Sequence, residues 1–177
     1  ECRRCSVYCP YGIDTAEITM AAKEVMDSIG VGQKYTNEII AKVHKIGNNL
    51  GLPAPALRNT LETMEEEVKE ETGLEVRFPV DQKGAEVLVV VPSADFFAEP
   101  HVYSLIGYAK VFHAAGIRWT LSSHASEAGN FGLFIGNHDQ MKKIAMRVRE
   151  AALELGVKRI VVGECGHAWR VAYSFWN

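Results

Sequence analysis

Apolar residues recur at helical spacing through the first seventy or so positions. Ile18, Ala22, Val25, Met26 and Ile29 form one such stripe. Asp14 or Thr15 can cap that helix, with Glu17 placed to complete a capping box, and Gly30 stops it. A second helix is expected from Asn37 to Ile46, with Ile39, Ile40, Val43 and Ile46 inward and Gly47 as its end. Pro55 can open a third helix. Leu57, Leu61, Met64 and Val68 make its apolar face and Gly73 terminates it. Its other face carries Glu62, Glu65, Glu66, Glu67, Glu70 and Glu71. That charge run reads as a solvated surface, with a docking face for a basic partner as the alternative.

Beyond Asp81 the pattern changes. Val87 to Val91 is an unbroken β-branched and leucine run, the signature of a strand buried on both faces. A helix from about His101 to Ala115, a short strand over Ile117 to Leu121, and a glycine-rich loop from Ala125 to Asn137 follow. A helix from about Asp139 to Leu155 and a third strand over Arg159 to Val162 complete the series. Strand, helix, strand, helix, strand implies parallel pairing with right-handed crossovers. The expected fold class is therefore α+β by region. Residues 1–78 read as a helical segment carrying a loop motif, and residues 79–177 as part of a parallel α/β domain.

The 177 residues carry 19 Lys+Arg against 22 Asp+Glu, a net charge of −3, which leaves no basic excess for tracking nucleic-acid phosphates. No apolar run approaches the roughly 18 residues that a membrane crossing needs. The cysteines change the picture most. Cys2, Cys5 and Cys9 crowd the start of the chain and Cys165 stands alone. Such spacing points to metal or redox chemistry before disulfides.

Cys2-x2-Cys5-x3-Cys9-Pro10 matches the last three cysteines of the bacterial ferredoxin run C-x2-C-x2-C-x3-C-P. Two-residue gaps let successive thiolates point into one cubane, and in two-cluster proteins the last cysteine serves the neighbouring cluster. The expectation is that Cys2 and Cys5 bind one [4Fe–4S] cubane and Cys9 another, with further ligands from outside the segment. A structural zinc knuckle is the alternative, but it usually lacks the Cys-Pro ending. Arg3 and Arg4, between the ligands, would raise the potential of a cluster or simply face solvent.

Ligands of an open parallel sheet bind beyond the carboxyl ends of its strands. Those ends carry Ser93 and Asp95, then Ser122, Ser123 and His124, then Glu164, Cys165, Gly166 and His167, with Arg170 just beyond. Cys165 reads as a cluster ligand or redox thiol, as a nucleophile with a histidine partner, or as an inert buried thiol. His167 and Arg170 are the candidate proton donor and thiolate stabiliser beside it. The remaining histidines and tryptophans read as packing or surface residues. Neither a dinucleotide fingerprint nor a phosphate-binding P-loop is present.

A ferredoxin-like run, then helices, then an α/β unit with a Cys-Gly-His turn resembles the heterodisulfide reductase D family with its CCG-type domain. More narrowly, RRCSVYCPYGIDTAEIT (residues 3–19), AGNFGLFIGN (128–137) and VVGECGHAWR (161–170) look like the DsrK branch of iron–sulfur subunits in membrane-bound DsrMKJOP complexes. The resemblance implies two ferredoxin-type [4Fe–4S] cubanes and a noncubane [4Fe–4S] centre that works on disulfides. It implies electrons from a quinol through a haem b-type membrane subunit, and a small sulfur carrier of the DsrC type, in disulfide or trisulfide form, as acceptor. It also implies a peripheral location on the cytoplasmic side of the inner membrane, reached through partner subunits, and no nucleic acid. Carried onto this chain, it makes Cys2, Cys5 and Cys9 cubane ligands and Cys165 a ligand of the special centre. The family pattern uses paired cysteines, whereas this chain has Ser122-Ser123 near one such place and a single cysteine in its α/β part. The remaining ligands would then lie beyond Asn177, or this half of the domain is a degenerate copy; both ends of the chain read as cut.

The expected function is an oxidoreductase subunit of dissimilatory sulfur metabolism that relays electrons to a disulfide-reducing centre. Its rivals are an iron–sulfur subunit of a flavin-linked 2-hydroxyacid oxidase, a relay subunit that turns over nothing, and a zinc-stabilised thiol hydrolase.

Overall fold

In the computed structural model, residues 3–163 and 165–176 are described. At the centre is a parallel sheet of three strands in the order β2-β1-β3: β1 is Val87–Val90, β2 Trp119–Thr120 and β3 Arg159–Val162. The run expected to be covered on both faces is the middle strand, and every residue of β1 is buried. Period-two alternation divides its side chains between two cores.

Val87, Val89 and Val91 face one core with α4 (Ala54–Thr72) and α5 (Val102–Ala115). Leu57, Leu61, Met64 and Val68 come from α4, and Leu105, Ala109 and Phe112 from α5. Leu88 and Val90 face the other core. There Val148, Ala151 and Leu155 of α7 (His138–Leu155) meet Ala168 of α8 (Gly166–Phe175). The helix α4 thus packs directly on the sheet, and its packing crosses the boundary expected at residue 78. Its glutamate face is exposed, as expected, except that Glu65 accepts from Arg77 at 2.7 Å and from the Phe78 backbone N–H at 2.7 Å.

The glycine-rich loop contains a short helix, α6 (Asn130–Phe134), which packs closely against α7. Gly132 permits that approach, since a Cβ there would lie 2.2 Å from the Met141 backbone nitrogen. The helix α3 (Lys34–Ile46) packs Ile39, Ile40 and Val43 against Ile135 and Ile144. The helix α8, absent from the sequence reading, buries Ala168 and Val171.

The apolar stripe of α2 (Thr15–Ser28) faces outward. The helix forms where the stripe predicts it, with the Asp14 carboxylate accepting from the Ala16 and Glu17 N–H groups at 3.2 Å each. Yet Ile18, Val25, Met26 and Ile29 are exposed, Ile18 and Val25 by 60% each. The other side docks. Met20 packs with Leu133, Met141 and Val171, Asp27 accepts from Asn137 at 2.6 Å, and Glu24 pairs with His138 at 3.2 Å. Polar contacts at positions 24 and 27, with Met20 one turn earlier, decide which face is covered.

Candidate functional site

The cysteine loop is a run of tight turns stapled to α2. Arg3 adopts a left-handed backbone (φ 56°) before the one-turn helix α1 (Arg4–Val7). Ser6 and Val7 N–H groups both donate to the Arg3 carbonyl at 3.0 Å. Cys9 N–H then donates to Ser6 at 3.4 Å, and Gly12 N–H to the Cys9 carbonyl at 3.1 Å. Side chains fix this loop in place. The Ser6 hydroxyl donates to the Asp14 carboxylate at 2.5 Å and accepts from the Ala16 N–H at 3.1 Å. Arg3 pairs with Asp14 at 3.5 Å and with Glu17. Arg3 therefore braces the loop, and Glu17 is engaged by that arginine.

Cys5 is exposed on α1 and Cys9 is half-buried just after it. Cys2 lies outside the described residues. The Thr15 hydroxyl holds the Cys5 thiol below the usual thiol range, helped by Ser6 and opposed by slight desolvation. Ser6 chiefly, then the Glu17 N–H and the Arg3 charge, hold Asp14 below the usual carboxylate range. The Thr15 hydroxyl oxygen is buried, and its contact with the Cys5 thiol falls short of regular hydrogen-bond geometry. A thiolate is the form that binds metal. Cys5 and Cys9, on consecutive turns with the Thr15 hydroxyl beside Cys5, fit thiolate ligation of iron–sulfur clusters, each as one ligand. Among the described residues, no cluster of three or more His, Cys, Asp or Glu could hold a metal ion.

The carboxyl edge of the sheet is chemically different. Cys165 caps the start of α8 and is half-buried against the second core. His167, one residue into α8, meets the Phe134 ring edge-on with centroids 5.0 Å apart. Arg170 lies half-buried on the same helix. The expected trio therefore shares the first turns of α8; Glu164 lies outside the described residues. Ser122 and His124 Nδ1 are 3.3 Å apart, and the Ser123 N–H donates to Asp81 at 2.9 Å. Cys165 is the one thiol here, with serines at 93, 122 and 123. These residues alone do not fit a four-iron centre, which takes its iron on thiolates.

Sequence reasoning missed Glu127. It sits in the loop after β2, only 3% exposed, and accepts from the Ser93 hydroxyl at 2.6 Å and the Asn49 N–H at 3.3 Å. Burial pushes its carboxyl above the usual range, against the pull of those two donors. The signal was an acidic residue between two small apolar ones, Ala125 and Ala128, both of which are buried. Asp95, also fully buried, follows Ser93 in the turn after β1.

No protein-family model matches the chain, and no solved structure matches it. Two curated proteins do. The chain is 40% identical over 180 aligned positions to the Hdr-like menaquinol oxidoreductase iron-sulfur subunit of Archaeoglobus profundus. It is 39% identical to the Hdr-like menaquinol oxidoreductase iron-sulfur subunit 2 of Archaeoglobus fulgidus. Each alignment takes in 99% of this chain and 32% of the relative, so the chain spans about a third of the length of the curated relatives it matches. Both relatives are named as iron–sulfur subunits of menaquinol oxidoreductases, and each is similar to this chain across nearly all of its residues.

Proposed function

We propose that this chain is part of an iron–sulfur electron-transfer subunit in a membrane-associated, quinol-linked oxidoreductase of the heterodisulfide reductase type. The observation that carries the reading is the ferredoxin-type cysteine run, its part from Arg3 to Gly12 folded as a braced loop, in a chain 40% identical to such a subunit. No helix among the described residues is long and apolar enough to cross a membrane, so attachment through partner subunits accords with the reading. Residues 1–78 would carry the ferredoxin-type ligands and residues 79–177 the CCG-type α/β part.

Cys2 and Cys5 would ligate one cubane and Cys9 its neighbour. A bound [4Fe–4S] cubane supplies one-electron transfer. The chain's own residues set the surroundings. Arg3 and Asp14 hold the loop on α2, Thr15 and Ser6 stabilise the Cys5 thiolate, and Cys9 is half-buried. At the far edge, Cys165 would present its thiol to a disulfide or trisulfide substrate, such as a DsrC-type sulfur carrier. His167 would supply a proton and Arg170 would stabilise the thiolate.

The test is iron and sulfide analysis with EPR on the anaerobically purified intact complex. Cys5→Ser should remove one cubane signal, and Cys9→Ser should disturb a different one. A complex whose iron content and EPR are unchanged in both variants overturns the assignment, as does a zinc-only protein. The single thiol in the α/β part favours a second reading, in which the subunit carries electrons and turns over nothing. Cys165→Ala decides between them. Loss of disulfide reduction with normal cubane reduction supports the catalytic reading, and unchanged turnover supports the relay.

A further inference from the structure

The carboxyl edge of the sheet holds a buried acid that no step above uses. Glu127 lies where three segments meet: the loop after α3, the end of β1 and the loop after β2. Its partners there, the Ser93 hydroxyl and the Asn49 N–H, are both neutral donors. The Asn49 N–H is shared, since it also reaches Ser93 Oγ at 3.3 Å. Ser93 itself has no exposed surface. An ionised carboxylate in such a place loses its water and gains no counter-charge, which costs far more than burying the neutral acid. The site is therefore built for a carboxylic acid.

Its position relates it to Cys165. The last ladder pair between β1 and β3 is Val90 with Val162, and the Gly163 N–H extends the ladder to Val90 at 2.7 Å. Ser93 and Cys165 each stand three residues beyond that pair, at the ends of adjacent parallel strands. Ala125 and Ala128, which flank Glu127 in its loop, pack in the same core as Cys165.

The other titratable groups on the elements that meet here have their own roles. Asp95 is buried in the turn that begins with Ser93. His124 approaches Ser122. Arg147 of α7 donates to the carbonyls of His44 and His124 at 2.6 and 3.0 Å, and His44 bonds Gln140 at 2.6 Å. Arg147 thus places its charge on backbone carbonyls.

We propose that Glu127, bonded to Ser93, is a proton store for reduction of a sulfur–sulfur bond at this edge. The inference rests on the disulfide-reductase reading above. Two electrons, drawn from the quinol through the relay, cleave R–S–S–R′ to two thiolates, and two protons complete the thiols. The carboxylic acid of Glu127 gives one of these through the Ser93 hydroxyl, becomes a carboxylate, and is reprotonated from solvent. His167, the donor assigned beside Cys165, gives the second. Glu127 acts through Ser93, so it is a positioning and proton-holding residue.

The test is infrared spectroscopy and kinetics on the intact complex, wild type and Glu127→Gln. Glutamine keeps an oxygen to accept from Ser93 and Asn49 but has no proton to give. The expected result is a protonated-carboxyl band in the wild type near neutral pH that is missing in the variant. Disulfide reduction in the variant should fall by about a hundredfold, the scale of lost general-acid help, and lose part of its pH dependence. Cubane reduction by the electron donor should be unchanged. Absence of the carboxyl band in the wild type overturns the proposal even if the variant fails to fold. So does a variant that keeps wild-type turnover and the same pH profile. A complex with the Glu127 band but no disulfide turnover overturns the substrate reading and leaves the protonated pair standing.

Discussion

Replacing Gly47 by alanine tests how the helical segment is locked to the sheet. Gly47 ends α3 with φ 104°, and a Cβ there would fall 2.3 Å from the Cα, C and O atoms of His124. Its carbonyl also accepts from the Ser126 N–H and hydroxyl, both at 3.3 Å, in the loop that positions Glu127. Two costs add. A left-handed backbone costs an L-residue about 1–2 kcal/mol, and forcing an extra methyl into a packed joint typically costs about 1–3 kcal/mol. The obstacle is main chain, so it cannot move aside by a rotamer change. The expected destabilisation is about 2–5 kcal/mol. Gly30→Ala is the matched control: its φ is 76°, and its Cβ would meet nothing within 4 Å. That variant should lose only the backbone share, about 1–2 kcal/mol. Urea unfolding of both variants, followed by tryptophan fluorescence and circular dichroism, measures the difference. Equal losses would refute the idea that the α3 terminus is pressed against the His124 backbone.

Two further outcomes follow from burial. Because the Glu127 carboxyl is pushed above its usual range, the folded chain keeps a proton that the unfolded chain has released. Stability from this group is then lost as pH rises from the ordinary glutamate value of about 4.3 through the raised one. Glu127→Gln removes that loss, so its stability relative to wild type should improve with pH by at most about 1.4 kcal/mol per pH unit; urea midpoints for the pair that run parallel from acid to neutral pH would sink the argument. On α2, the double change Ile18→Ser and Val25→Ser should cost under about 1 kcal/mol, since exposed sites usually shift stability by no more than about 0.5 kcal/mol each, and a loss of several kcal/mol in thermal unfolding would show that stripe to be buried in this fold.

The sheet and most of its helices were legible because their signals are local. The Val87–Val91 run has nowhere to go but the middle of a parallel sheet, and the α7 stripe through Met141, Ile144, Val148 and Leu155 has one face that can be buried. The helix α2 was legible as a helix and illegible as a face. Hydrophobic spacing says which residues share a side, whereas the side that docks depends on Asn137 and His138, more than a hundred residues away. The short α6 was hidden by its glycines, whose value lies in close approach to α7. The helix α8 carries a readable 168, 171, 175 spacing, but it begins at the Cys-Gly-His turn, where a loop was the natural reading. Cys5 and Cys9 were found from spacing alone. Glu127 was not, because one acid in a loop acquires meaning only when Ser93 and Asn49 arrive from distant parts of the chain.

The two cysteine neighbourhoods differ in what they can hold. At the N-terminal loop, an exposed Cys5 and a half-buried Cys9 stand among hydroxyls and paired charges, which suits soft metal ligation and electron exchange. At the sheet edge, serines stand at 93, 122 and 123 beside a single cysteine, and a carboxyl is sealed in with neutral partners. Hydroxyls and a neutral carboxyl bind iron poorly but hold and pass protons well. Breaking a sulfur–sulfur bond consumes electrons and protons in equal number, so an enzyme that does it must bring both to one place. On the proposed reading, clusters at the loop pass electrons on toward the edge and Glu127 holds a proton there, so the two meet at the edge without asking a lone thiol to carry a cluster. The register of β1 and β3 sets Ser93 and Cys165 each three residues beyond the Val90–Val162 pair, so the acid's partner and the thiol lie at the ends of adjacent parallel strands.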